Sequence, residues 1–286
     1  MKKTGLISCI IFSFFILEIK SQQVNPVELP GTESFTCYSS YVEDSFLIQV
    51  ALPKSYAESA KNYPVLYVLD SDMSFGMARD IVNWLNLRHE IPEIIIVGAS
   101  YPGNWWQKRS RDYTFSKDDS EIWGKWPLAG GADNYLHFIQ QELFKKILSS
   151  YRIDTTRRII AGLSLGGLLA NYILFTKSQL FDGYIISGPA LQWNYQEIFR
   201  IEQDFSKGTA CLRAKVFTSV GDLDQEDICI PWDEFNQQIL SRNYNGLEYR
   251  VKRFEDETHI SVWPVSLSHG LRYYFSKSPT NQNNYE

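Results

Sequence analysis

Short apolar runs alternate along the chain with segments of helical period. Residues 46–52 (FLIQVAL), 65–69 (VLYVL), 94–99 (IIIVGA), 158–163 (RIIAGL), 184–187 and 215–220 (KVFTSV) are such runs, and 248–254 adds one with alternation. Continuous β-branched runs suit strands covered on both faces, as in a mainly parallel sheet. Helical spacing marks 75–87, 134–148, 165–175, 232–240 and 262–274. The second of these is the clearest: Leu136, Ile139, Leu143 and Ile147 share one stripe, and Asp133 stands where an N-cap belongs. Strands alternating with such helices predict βαβ units, hence an α/β fold whose mainly parallel central sheet is flanked by helices. Residues 101–132 break the rhythm. They are rich in Gly, Trp, Ser and charge, and are expected to form a long functional loop leaving the 94–99 strand.

The beginning of the chain follows another pattern. Lys2 and Lys3 precede an apolar run over 6–17, and a polar exit follows from Glu18 to Gln23. This reads as a secretory signal peptide over 1–22, leaving a single domain over 23–286. The run is shorter than the roughly twenty apolar residues of a membrane span. A secreted or periplasmic protein is expected, with no stable membrane insertion after cleavage. The 286 residues, 44% of them hydrophobic, suffice for one sizeable core. A net charge of −5 with scattered Lys and Arg excludes a basic nucleic-acid footprint. Beyond the leader remain Cys37, Cys211 and Cys229, read either as a Cys211–Cys229 bridge with Cys37 buried, or as three small buried hydrophobes. No CxxC or metal spacing occurs, and no metal or cofactor is expected.

The strongest chemical signal is Gly162-Leu163-Ser164-Leu165-Gly166-Gly167, a G-x-S-x-G run between an expected buried strand and an expected helix. Glycines at 162 and 166 let strand and helix approach at a sharp turn that displays the Ser164 hydroxyl. The Leu165 N–H at the helix start then becomes an oxyanion donor. Serine needs a base. His89 and His137 precede it, whereas this motif orders its partners serine, acid, histidine. His259 lies on the loop after the last strand and is favoured; His269, inside the last helix, is the alternative. The acid belongs in Gly221-Asp222-Leu223-Asp224-Gln225-Glu226-Asp227. Asp224 is favoured, three residues past the strand-ending glycine, with Asp222 and Asp227 as alternatives. The alternating acids lack a calcium loop's glycine. A second oxyanion donor is expected from the backbone of Ser71 or Asp72, whose neighbouring carboxylates are read as fixing the loop. Arg109, Arg111, Trp105, Trp106, Trp123 and Trp126 are either substrate-binding groups for an anionic or aromatic ligand or surface anchors.

YPVLYVLDSDMSF, GGADNYLHFIQQEL, RRIIAGLSLGG and HISVWPVSLSHGLRYYF together resemble the "putative esterase" family of α/β-hydrolases, over residues 46–275. That family includes esterase D, siderophore esterases and feruloyl esterases. The resemblance implies an α/β-hydrolase fold and a cofactor-free serine esterase acting on a small-molecule ester. Ser164 and His259 match the family's nucleophile and base, and Asp224 is similar to the acid of esterase D, although some siderophore esterases use a Ser–His pair. Mycolyl transferases in the same family make acyl transfer to an alcohol an alternative. A non-catalytic binding module on this fold is the other alternative.

Overall fold

The apolar runs become strands of one eight-stranded sheet, in the order β1-β2-β4-β3-β5-β6-β7-β8: β1 (Thr32–Ser39), β2 (Asp44–Ala51), β3 (Tyr63–Val68), β4 (Ile95–Ser100), β5 (Ile153–Leu163), β6 (Gly183–Ser187), β7 (Cys211–Gly221) and β8 (Asn245–Phe254). The computed structural model describes residues 28–118, 125–208 and 211–276. The leader expected over 1–22, Trp123 and the tail beyond Ser276 lie outside the described residues. Strands β3 to β8 pair in parallel, while β2 runs antiparallel to both β4 and β1. Every residue of β3, β4 and β6 is buried, which is why each reads as an unbroken apolar run. The registers align the carboxyl ends: Val68 faces Gly98 and Ala161, Leu163 faces Ser187, and Ser187 faces Ser219. Turns leaving these strands therefore emerge along one edge.

Two helices cover one face of the sheet: α1 (Ser71–Leu87) and α8 (Val262–Phe275) pack Phe75, Val82, Trp263 and Leu267 onto Leu66, Ile96, Ile159 and Phe217. Trp263 Nε1 donates to Ser74 Oγ at 2.9 Å and links the pair. On the other core lie α5 (Leu165–Thr176) and the helical run of α3 (Ala132–His137), a π-helical segment (Phe138–Leu143) and α4 (Phe144–Ser150). The stripe Leu136, Ile139, Leu143 and Ile147 is buried there. The expected cap at Asp133 is not formed. Gly131 takes that position, and the Asp133 carboxylate instead accepts from Tyr172 Oη at 2.8 Å.

The 101–132 stretch also departs from expectation, because it contains α2 (Trp105–Tyr113). Its inward residues are Arg109, Ser110, Asp112 and Tyr113, so its buried face is largely polar and leaves no apolar period to read. The helices α6 (Trp193–Gly208) and α7 (Glu226–Arg242) complete the set. The fully buried Asp112 forms a two-pronged pair with Arg111, at 2.7 and 3.0 Å, and Arg111 also reaches Asp44 at 2.9 Å. Burial pushes the Asp112 carboxyl up to about 6, against the pull of Arg111. A folded pKa above the unfolded value of about 3.9 means that this group's stabilisation is present below about pH 4 and lost as pH rises through about 6. Asparagine carries no such proton. The destabilisation caused by Asp112→Asn should therefore shrink by about 2 kcal/mol between about pH 4 and pH 7.5. Urea melts at the two pH values measure this, and a constant or widening gap would contradict it.

Cys229 is a free thiol, so the Cys211–Cys229 bridge is not formed; its Sγ lies 3.6 Å from the Gly221 carbonyl and 3.4 Å from Arg253 Nη1. Among the described residues, no helix is long and apolar enough to cross a membrane.

Candidate active site

At the carboxyl end of β5 the chain turns into α5 through one residue. Ser164 holds that turn at φ 60°, ψ −118°, a backbone state costing a side-chain-bearing residue of order 1–3 kcal/mol. Close glycines permit it: a Cβ on Gly162 would stand 2.5 Å from the carbonyl carbon of Gly166. Three hydrogen bonds hold it. The Ser164 N–H donates to Ser187 O (3.0 Å), and the Ser164 carbonyl accepts from Leu168 N–H (2.9 Å) and Ala190 N–H (3.1 Å). Leu165 opens α5, where first-turn N–H groups have no intrahelical acceptor.

His259 and Asp224 come from the turns after β8 and β7. Nδ1 of His259 lies 2.8 Å from Oδ2 of Asp224, and Oδ1 accepts from the Gln225 N–H at 2.8 Å. The Asp224 side chain is fully buried, while that of His259 remains 25% accessible, so the carboxylate is sheltered and the imidazole can still meet a ligand. Two backbone bonds tie these turns together, Asp222 N–H to Phe254 O (2.9 Å) and Leu223 N–H to Glu257 O (3.0 Å). Asp222 and Asp227, the other carboxylates considered, are exposed. His269 sits in α8 with its ring edge-on to Phe254, 5.0 Å between centroids. Burial, then Arg272 and Lys252, hold its pKa below the ordinary value.

Gly188 joins the two halves of the site. It follows Ser187, the acceptor of the Ser164 N–H, and a Cβ here would stand 3.2 Å from His259 Nδ1 and 3.3 Å from Asp224 Oδ2. Its φ of +41° and this close approach both favour glycine. The sequence gives little hint of it, since Ser-Gly-Pro reads only as a turn.

Ser71 and Asp72 open α1 beside the elbow, since β3 and β5 are neighbours in the sheet. The preceding Asp70 is left-handed (φ 54°), and its carbonyl accepts from Met73 and Ser74 at 3.0 and 2.9 Å. The Asp72 carboxylate accepts from the Tyr101 N–H at 3.2 and 3.3 Å, and burial pushes its pKa up. Both carboxylates fix the loop.

The arginines are committed internally. Arg109 is 4% exposed and pairs with Asp70, so it is no solvent-facing ligand for an anion; Arg111 is held by Asp112 and Asp44. Trp106 is 46% exposed, stacks over Arg109 (5.4 Å) and lies 5.4 Å from Trp126, which in turn meets Trp193 at 6.4 Å. Trp105 packs edge-on against Trp106. Trp193 joins this aromatic group from a helix that the sequence pattern did not reveal.

A serine elbow between a central parallel strand and a helix, with an imidazole–carboxylate pair on later turns of the same edge, is the layout of an α/β-hydrolase. The chain belongs to the "Putative esterase" family, whose pattern matches residues 39–273. It is a serine hydrolase acting on carboxylic esters, related to siderophore esterases. It is 30% identical to the ferri-bacillibactin esterase BesA of Bacillus subtilis over 264 residues, covering 87% of this chain and 91% of the relative. The crystal structure of the BES protein from Bacillus cereus superposes with a TM-score of 0.81 at 30% identity, over 90% of this chain and 100% of that one. The IroE-like serine hydrolase from Shewanella oneidensis gives 0.77 at 25% identity, covering 85% and 80%.

Proposed function

We propose that this protein is an exported esterase that opens siderophore-type esters through an acyl-enzyme on Ser164. The hydrogen bond between His259 and Asp224, brought by the 187–190 turn against the strained Ser164 elbow, carries this reading. Asp224 fixes the imidazole tautomer through Nδ1, so that Nε2 is the nitrogen left to take the serine proton. As Ser164 Oγ bonds to the ester carbon, the carbonyl electrons move to oxygen, where the Leu165 N–H and that of Ser71 or Asp72 receive the charge. Collapse expels the alcohol, which takes the proton from His259. Water activated by the same imidazole then releases the acid. Trp106, 46% exposed, offers an aromatic face to an aromatic acyl moiety. The name of the Bacillus subtilis relative supports a siderophore ester as the substrate class. The leader-like residues 1–22 support export, and 23–286 are read as one catalytic domain.

A fluorophosphonate probe tests the nucleophile. Native protein should be labelled at Ser164 and lose turnover in proportion, and Ser164→Ala should take up no label. Equal labelling of both forms would sink the assignment. Parallel assays on a catecholate trilactone and simple p-nitrophenyl esters test the substrate class, with preference for the trilactone expected.

A further inference from the structure

Arg109 and Asp70 lie outside the proton-transfer chain, yet their contacts reach both sides of the oxyanion site. Arg109 Nε and Nη2 grip the Asp70 carboxylate side-on, Nη2 to Oδ2 at 3.0 Å, and the same Nη2 donates to the carbonyl of Leu163 at 3.3 Å. Leu163 is the residue before the nucleophile; Asp70 is the residue before Ser71 and caps α1 in a left-handed conformation. The Asp70 carboxylate also packs on the elbow, with Oδ2 3.2 Å from where a Gly166 Cβ would stand. Its N–H is anchored to Tyr113 Oη at 2.9 Å. Both charges are about 95% buried, so the pair has little water to exchange with and holds one geometry.

We propose that the Arg109–Asp70 pair is a positioning device for the oxyanion hole, setting the α1 and α5 N-termini at the spacing a tetrahedral intermediate needs. One planar guanidinium binds the residue before the Ser71 and Asp72 donors and the residue two before the Leu165 donor, so the two N-termini cannot drift apart without breaking a charge-assisted bond. Preorganised donors act on charge that develops in the transition state, and small displacements weaken them steeply. The pair touches no reacting atom; its effect runs through the backbone of Ser71, Asp72 and Leu165. This inference rests on Ser164 being the nucleophile.

The test compares a tetrahedral mimic with a planar one. A trifluoromethyl ketone forms an alkoxide adduct with the serine and needs the hole, whereas an unreactive amide isostere of the same shape does not. Arg109→Lys keeps the charge but loses the fork. It should weaken ketone binding and kcat together by about tenfold or more, leaving the amide inhibition constant and KM within about twofold. The double variant Asp70→Asn/Arg109→Gln removes both charges, strands neither, and should behave the same way if the lysine variant fails to fold. Equal weakening of both mimics, or a folded variant with native kcat and ketone affinity, would overturn the proposal. Fluorophosphonate labelling of the native protein separates the two failures: without label at Ser164 the esterase mechanism itself falls, and with it only the positioning role is at stake.

Discussion

His259→Ala is expected to lower kcat for ester hydrolysis by on the order of 10⁴-fold, with the melting temperature within a few degrees of native. A serine hydroxyl cannot lose its proton at neutral pH without an acceptor, and this change removes the imidazole that Asp224 Oδ2 holds. The fold should survive, since His259 lies on an exposed turn between β8 and α8 and Asp224 retains the Gln225 N–H. The measurement is kcat on a saturating p-nitrophenyl ester, alongside a thermal melt. A loss under tenfold would redirect the base assignment toward His269. Asp224→Asn should fall in the same direction but less far, because an amide still offers an acceptor while favouring the wrong tautomer.

Gly221→Ala should be the most damaging single methyl group. Gly221 ends β7, and a Cβ there would stand 2.0 Å from the carbonyl oxygen of Glu257, two residues before His259. The obstacle is backbone, so no side-chain rotamer relieves it. The strand end or the His259 turn must move. Overpacking in a tight site typically costs 1–3 kcal/mol; with backbone on both sides the expected loss is about 3 kcal/mol or more. The same shift would separate the turns that carry acid and base, so residual folded protein should turn over ester at least tenfold more slowly. Urea denaturation and specific activity per folded molecule read the two effects. A native midpoint with native activity would show that the turn accommodates the methyl.

The sheet was legible where burial is two-sided. β3, β4 and β6 read clearly as strands because each must be apolar throughout, and the candidate nucleophile Ser164 because G-x-S-x-G is a local constraint on a single turn. Edges and polar interiors were not. β1 buries only Ser39 fully and pairs on one side, so its sequence TESFTCYS has no strong period. α2 turns charged residues inward, and its periodicity is carried by ion pairs rather than apolar side chains. The same blindness left Arg109 readable only as a substrate-binding group or a surface anchor: sequence shows a cation in a loop, not the Asp70 carboxylate 39 positions away that holds it. Asp224 could be preferred over Asp222 and Asp227 only by spacing; the path of the backbone decides which carboxylate meets His259. Trp193 escaped because it stands just before three left-handed residues, Asn194 to Gln196, so no regular helix runs from it and no helical period includes it.

On the mechanism proposed above, the order of the strands also sets when activity can appear. β5, which carries the serine, sits between β3 and β6, and the imidazole arrives only on the turn after β8. A partly folded chain that lacks the β7–β8 pairing would hold the Ser164 elbow without the His259 turn beside it. With that mechanism turnover is expected to recover only once β8 and α8 have docked, which a refolding time course of ester hydrolysis would read.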